Sequence, residues 1–164
     1  MFTLHCTKKL LDRIHPNVAA RCDATTRLGN WYATALFWKL QIVLLVNERT
    51  LLPVLMPLAP AATLASRIPA AVKEVLIALD LPADFIQVEI EGMTDIVYAK
   101  TANRSVLGMM NQFAFIAEVM KDRASPVDTL ALSLRLAEVP CGPLTRGAGF
   151  PDRAVRELAD GLNH

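Results

Sequence analysis

The sequence lacks an excess of charge of either sign, and it is poor in aromatic residues. Of its 164 residues, 17 are Lys or Arg and 16 are Asp or Glu, so the formal net charge is +1 at pH 7. This balance argues against a globally basic protein that binds nucleic acid. Aromatic residues make up 6% of the chain, too few for the stacking surfaces of single-strand-binding proteins. We therefore expect no nucleic-acid partner.

Cysteine and histidine are also scarce. The three cysteines form no CxxC pair, and their odd number is typical of free thiols in a reducing compartment. The three histidines are too scattered along the chain to suggest a metal site. These six residues are Cys6, Cys22, Cys141, His5, His15 and His164. We expect no bound metal and no other cofactor.

Long hydrophobic runs are missing, although the mean hydropathy of +0.33 is positive. The longest uncharged stretch, residues 50–66, contains three prolines. It is also shorter than the roughly 20 residues that a membrane-spanning helix needs. Residues 1–15 contain early charges and no apolar segment of the kind found in secretory signals. The sequence predicts a cytoplasmic protein with no membrane partner.

The composition that remains is that of one globular domain, with 53% hydrophobic and 20% charged residues. Weak alternation in residues 2–6 predicts an opening strand, followed by a short amphipathic helix that Thr7 caps. Residues 31–38, 41–46 and 51–58 are apolar and predict a three-stranded meander. Because Pro53 and Pro57 cannot donate to a strand ladder, we expect the third of these strands at an edge of the sheet.

The second half of the chain is mainly helical in pattern. Apolar spacing predicts helices at residues 69–79, 82–92 and 103–122, with a strand at residues 95–100. Residues 129–138 carry leucine at every second position, which is a strand pattern. The capping box at residues 125–128 and the Ala and Leu content nevertheless favour a helix there. A last short helix is predicted at residues 151–162.

Together these elements predict an α+β fold in a single domain. We expect a small antiparallel sheet with helices packed on one face. Within this domain, residues 1–124 are predicted to form the α+β core, and residues 125–164 a C-terminal helical extension packed on it.

Three blocks of sequence are distinctive in their order and spacing. They are Leu-His-Cys-Thr-Lys-Lys-Leu-Leu at residues 4–11, Trp31 with residues 43–48, and Lys-Thr-Ala-Asn-Arg-Ser-Val at residues 100–106 with Asn111. Over residues 4–120 the chain resembles DUF6933, a bacterial family of unknown function. Many relatives carry His and Asn just after the Trp, where this chain has Tyr32 and Thr34. The resemblance implies kinship and no particular activity.

A polar cluster supplies the first candidate site. A strand-to-helix junction exposes backbone N–H groups that attract anions, and basic side chains there add charge. The residues expected to bind a small anionic ligand are Thr7, Lys8, Asn47, Lys100, Thr101, Arg104 and Ser105. The alternative is that Asn103 or Thr101 merely caps the helix and that Arg104 pairs with a surface carboxylate.

Aromatic residues in the meander supply a second candidate, because aromatic side chains dominate protein interfaces. Trp31, Tyr32 and Trp38 are predicted to bind a protein partner, and ordinary core packing is the alternative. The apolar excess also suggests a homodimer, with residues 51–58 buried between two copies.

Catalytic signatures are incomplete. His5 and Cys6 are neighbours on a strand and point to opposite faces, so they cannot share a proton. The acidic residues between 80 and 91 are expected to be solvated at the surface. We expect no catalytic residue and a non-enzymatic regulatory module that binds a protein or a small anion. The alternative is a small transferase or hydrolase at the Lys100/Arg104 junction, which predicts one concave pocket lined by Lys8, Lys100 and Arg104.

Overall fold

The computed structural model describes residues 1–122 and 125–161. Its strands are β1 (Phe2–Cys6), β2 (Trp31–Leu36), β3 (Ile42–Asn47), β4 (Pro53–Pro57) and β5 (Ile96–Lys100). Its α-helices are α1 (Lys8–Ile14), α2 (Leu64–Ala78), α3 (Ala83–Gly92), α4 (Arg104–Met120), α5 (Thr129–Leu136) and α6 (Pro151–Gly161). No helix in these two ranges is long and apolar enough to cross a membrane.

The five strands form one mixed sheet in the order β4-β3-β2-β1-β5. The meander of β2, β3 and β4 is antiparallel, as expected. However, β1 pairs in parallel with both β2 and β5. The α+β class is confirmed, but the prediction of a purely antiparallel sheet is wrong. Helices intervene before β2 and before β5, so the chain returns to the same end of the sheet before each of these strands begins.

Helices cover both faces of the sheet, whereas one covered face was expected. On the first face, Phe2, Leu4 and Trp31 belong to a core that α1, α2, α3 and α6 complete. On the second face, Tyr32 and Leu44 belong to a core that α4 and α5 complete. Every residue of β2 and β3 is buried, and each apolar side chain of these strands belongs to one core or the other. Continuous apolar strands of this kind are typical of sheets covered on both faces.

The leucine pattern of residues 129–138 belongs to a helix, as predicted. The Asp128 side chain caps α5 by accepting a hydrogen bond from the N–H of Ala131 at 3.0 Å. The leucines separate into two pairs: Leu132 and Leu136 enter the second core, and Leu130 and Leu134 pack against the first. The leucine at every second position therefore arises from a helix that lies over the edge of the sheet and packs against both cores.

The edge strand β4 is covered by the chain itself. The backbone N–H of Leu55 donates to Ser133 Oγ of α5 at 2.8 Å. In residues 51–58, every side chain except that of Pro57 is buried. Within the described chain, Pro57 is thus the one exposed apolar side chain that these residues offer to the predicted dimer contact. The predicted boundary at residues 124 and 125 and the predicted helix end at residue 162 involve positions outside the described ranges.

Candidate functional site

Two helices begin where neighbouring parallel strands end. The register pairs Cys6 of β1 with Lys100 of β5, and α1 and α4 start shortly after these two residues. The chain then leaves the two strands toward opposite faces, because α1 packs in the first core and α4 in the second. In open α/β sheets, the crevice at such a point is a common ligand site. We call this region, Thr7 and Lys8 with residues 100–105, the β1–β5 junction.

A buried aromatic pair lies beneath the junction. The ring of His5 stacks on that of Tyr32, with centroids 4.5 Å apart and planes 16° apart. His5 Nδ1 lies 2.8 Å from the carbonyl oxygen of Lys100, and it must donate because a carbonyl only accepts. The Tyr32 hydroxyl accepts a hydrogen bond from the N–H of Asn103 at 3.0 Å. These two bonds connect β1 and β2 to the segment that joins β5 and α4.

Thr7 adds a third connection at the same end of the sheet. Its hydroxyl lies 2.8 Å from that of Thr34 on β2. Its N–H donates to the carbonyl oxygen of Ala33 at 3.0 Å. Tyr32 and Thr34, the two positions where this chain differs from many relatives, thus both contact the junction.

One polar atom beneath the junction is left without a partner. His5 is 1% exposed, and its Nε2 has no hydrogen-bond partner among the described residues. Since Nδ1 donates, Nε2 of the neutral ring is an acceptor. A buried polar atom without a partner costs about 1–3 kcal/mol. The sequence singled out His5 only as an unsuitable base for Cys6, so this feature of the site was missed.

Asn103 caps α4, which confirms part of the structural alternative. Its side-chain oxygen accepts hydrogen bonds from the N–H groups of Ser105 and Val106 at 2.9 and 3.2 Å. The other part, an ion pair for Arg104, is not found within the described ranges, where Arg104 and Lys100 are exposed and form no salt bridge. The Asn103 side chain accepts no hydrogen bond from the N–H of Arg104.

The junction concentrates positive charge. The first turns of α1 and α4 contain no acidic residue, and they carry Lys8, Lys9 and Arg104. Lys8 is paired with Asp12 at 2.8 Å, and both side chains are largely exposed. A helix N-terminus is itself positive, so cations in the first turn are unfavourable there. An anion bound at the junction would offset this repulsion.

The structure places Asn47 away from the other predicted ligand-binding residues. Asn47 pairs with Trp31, at the opposite end of the sheet from the junction. Its amide group donates to the carbonyl oxygen of Leu28 at 2.9 Å, and its oxygen accepts from the N–H groups of Arg49 and Thr50 at 3.1 and 3.0 Å. Asn47 therefore holds the turn after β3, a common role for asparagine in turns.

Two of the three aromatic residues predicted to bind a partner are in the core. Trp31 is 0% and Tyr32 1% exposed. Trp38 is half-buried, and Lys121 Nζ lies 4.3 Å from the centre of its ring. Phe37, which belongs to the same aromatic cluster in the sequence, is exposed. Three other large apolar side chains that are exposed nearby or on α4 were not singled out by the sequence: Leu40, Phe115 and Val119.

Glu89 corrects the expectation that the acidic residues between 80 and 91 are solvated. It is fully buried on the same side of α3 as Phe85 and Ile86, and its carboxylate accepts from the N–H groups of Arg27 and Leu28 at 2.9 and 3.2 Å. Burial raises the pKa of Glu89, and the two backbone N–H groups partly oppose this shift. The helical spacing from Phe85 to Glu89 was the signal that could have revealed it.

The thiols give no support to covalent catalysis. Burial raises the pKa of Cys6 to about 12 and that of Cys141 to about 11, so both thiols are protonated at neutral pH. Five surface cavities formed by the described residues have no lining from Lys8, Lys100 or Arg104. No group of three metal-ligating side chains occurs in the described part of the chain.

Comparison with known proteins identifies the family of the chain and no activity. No curated protein and no solved structure is significantly similar to the chain. The sequence profile of DUF6933, a domain of unknown function, matches residues 3–154, which include most of β1, the junction, α5 and the start of α6. The chain therefore belongs to the DUF6933 family.

Proposed function

We propose that the protein is a non-enzymatic regulatory module that binds a small anionic ligand at the β1–β5 junction. The observation that carries this proposal is the pair of cations at the two ends of the connection between β5 and α4. Lys100 and Arg104 are exposed and without an ion pair among the described residues, and the first turn of α4 contains no acid. A phosphate or carboxylate would bind where both cations and the helix N-terminus attract it.

The chemistry of the groups present fits recognition of an anion. The guanidinium of Arg104 offers a planar pair of donors that suits a carboxylate or phosphate, and the ammonium of Lys100 adds a second charge. His5 Nε2 makes a different demand beneath the junction: it is an unpartnered acceptor, so it would accept a hydrogen bond from a ligand hydroxyl and would not bind the anionic oxygens. Buried polar atoms left without a partner are rare in folded proteins, and the described residues have two, His5 Nε2 at the junction and Trp31 Nε1 at the opposite end of the sheet.

The enzyme alternative has less support. It required Lys8, Lys100 and Arg104 to line one concave pocket with a titratable group within hydrogen-bond reach, and Cys6, Lys8 or Lys100 to assist the reaction. The Cys6 thiol has its pKa raised to about 12 and lies on the face of the sheet opposite His5. Binding without turnover is therefore the function that this geometry favours.

A protein partner is the second candidate, and it rests on a different surface. Phe115 and Val119 of α4 are 71% and 70% exposed, and Phe37 and Leu40 are exposed after β2. Clustered exposed apolar side chains mark protein contacts more often than isolated ones do.

The test of the anion site is isothermal titration calorimetry with inorganic phosphate and, separately, with citrate. We expect saturable binding that weakens about tenfold or more in Arg104→Gln and Lys100→Gln, since each loses a charged hydrogen bond worth about 1.5–3 kcal/mol. Lys73→Gln, an exposed lysine on α2, is the matched control and should bind as the unmodified protein does. Equal weakening in all three variants, or no saturable binding, would contradict the proposal.

A further inference from the structure

The outer side of α4 carries a regular stripe of exposed residues. Ser105, Gly108, Gln112, Phe115 and Val119 follow one another at intervals of 3, 4, 3 and 4 residues, and all five are exposed. This is the spacing of the contact line in paired helices. We call these five residues the α4 seam.

The seam differs from an ordinary solvated helix surface. No charged residue occurs between Ser105 and Ala117, which is more than three helical turns. Exposed helix faces normally carry charged or strongly polar side chains. Beside Phe115 the surface forms a groove of about 440 Å³ that Asn111, Gln112 and Ile116 complete. A neutral line with two large apolar side chains fits a neutral partner surface.

From this pattern we infer that α4 packs against α4 of a second copy of the chain, antiparallel, about a two-fold axis near Gln112. Shape is the first argument. The large side chains, Phe115 and Val119, lie in the C-terminal half of the seam, and the small ones, Ser105 and Gly108, lie in the N-terminal half. A Cβ atom added at Gly108 would meet no atom within 4 Å apart from its chain neighbours and the backbone of its own helix, so the space over Gly108 is open.

An antiparallel arrangement makes the seam complementary to itself. It places Phe115 of one copy over Gly108 of the other and Val119 over Ser105. A two-fold axis makes the same contacts twice. A parallel arrangement would oppose Phe115 to Phe115 and leave Gly108 facing Gly108 across a gap, which loses dispersion contacts.

Charge is the second argument. Arg104 directly precedes Ser105 and Glu118 directly precedes Val119, so both charges flank the seam on the same side. Antiparallel pairing brings Arg104 of each copy toward Glu118 of the other, whose carboxylate also contacts Lys121 of its own chain at 3.0 Å. On the same flank, Asn111 lies near the axis, where two amide groups can each donate and accept.

The size of the contact sets its expected strength. From Ser105 to Val119 the seam is about 21 Å long. One helix per copy buries an area at the low end of specific interfaces, below about 1,200 Å² in total, which is the range of weak association. We expect a dimer with a dissociation constant of about 10–100 µM.

The inference goes beyond the anion site and shares one side chain with it. Arg104 serves the proposed ligand and also approaches Glu118 of the second copy. Lys100 belongs to the anion site alone, and Phe115 belongs to the seam alone. Variants at these two positions therefore separate failure of one proposal from failure of the other.

Sedimentation velocity over about 5–500 µM protein tests the dimer across the expected range. We expect a shift from monomer to dimer for the unmodified protein and for Val88→Asp, a control that removes an exposed apolar side chain from α3. Phe115→Asp should stay monomeric and should still bind phosphate as the unmodified protein does. Gly108→Gln should also stay monomeric, with an unchanged or raised Tm, because Gln is the better helix former and the site is open in the monomer.

Cross-linking tests the position of the axis. In a Cys22→Ser background, where the remaining cysteines are buried, Gln112→Cys should join two copies through a short bismaleimide, and Gln87→Cys on α3 should not. A monomer at all concentrations overturns the inference. So does a dimer that persists in Phe115→Asp and Gly108→Gln, or equal cross-linking at residues 112 and 87.

Discussion

The turn after β3 and the β1–β5 junction look alike in the sequence, since each sets polar residues at the end of a strand. They differ in how much of their bonding capacity the fold uses. Asn47 is buried, and its side chain bonds to the backbone of Leu28, Arg49 and Thr50. At the junction, Lys100 and Arg104 are exposed without an ion pair in the described ranges, and His5 Nε2 is buried without a partner. A polar cluster with all its bonds made stabilises a fold, whereas one with unused groups is available to a ligand.

The largest expected effect is a loss of stability, and it follows from removing the side chain of Asn47. Asn47→Ala should lower the free energy of unfolding by about 2–4 kcal/mol, because several buried backbone groups lose their partner at once. Urea denaturation measures this change. Asn17→Ala, at an exposed loop position, is the matched control and should stay within about 0.5 kcal/mol. A similar small change in Asn47→Ala would remove the distinction between the two clusters.

At the junction, we expect a substitution to increase the free energy of unfolding. Arg104→Glu replaces a cation with an anion in the first turn of α4, so the free energy of unfolding should rise by about 0.3–1 kcal/mol while phosphate binding is lost. Urea denaturation at a protein concentration that keeps the chain monomeric, together with calorimetry, separates the two effects. If stability falls together with binding, Arg104 is part of the fold and the contrast with Asn47 fails.

The smallest expected effect on stability concerns Glu89. Its carboxylate accepts two backbone hydrogen bonds, but burial still disfavours the ionised form. Its pKa is raised by burial, so the folded state takes up the proton more readily than the unfolded chain, whose pKa is near 4.5. The contribution of Glu89 to stability is therefore fully present below pH 4.5 and is lost as the pH rises through its folded pKa.

The measurement is urea denaturation of the unmodified protein and of Glu89→Gln at several pH values between 7 and 4.5. The stability difference between the two proteins should shift in favour of the unmodified one as the pH falls. A constant difference would show that the two backbone N–H groups cancel the effect of burial on the pKa, and a difference that moves the other way would show that they outweigh it.

Local pattern predicted most of the elements, because each depends on neighbours in the sequence. The meander, the edge position of β4 and the helix at α5 followed from turns, prolines and a cap. The parallel pairing of β1 did not follow, since it depends on which strands meet after a crossover. The two covered faces were visible in the continuous apolar residues of β2 and β3, which were interpreted only as a meander.

At the site, the sequence predicted the location of the charged residues better than that of the buried ones. Thr7, Lys8, Lys100, Thr101, Arg104 and Ser105 lie at the same end of the sheet, because each is at or just after the end of β1 or β5, which pair in parallel. Asn47 and Trp31 were misassigned because residue type does not reveal whether a side chain finds its partners inside the fold. The contacts of His5 and Glu89 span 95 and 62 residues of chain, a separation that no local pattern records.

The most direct test of the central claim is a phosphate titration followed by the backbone amide signals in NMR. The account predicts saturable shifts confined to residues 7–9 and 100–106, with the amides around Asn47 unmoved and with the shifts lost in Arg104→Gln. Saturable shifts centred elsewhere, or shifts that only drift with ionic strength, would show that the unpaired cations of the junction are not a binding site.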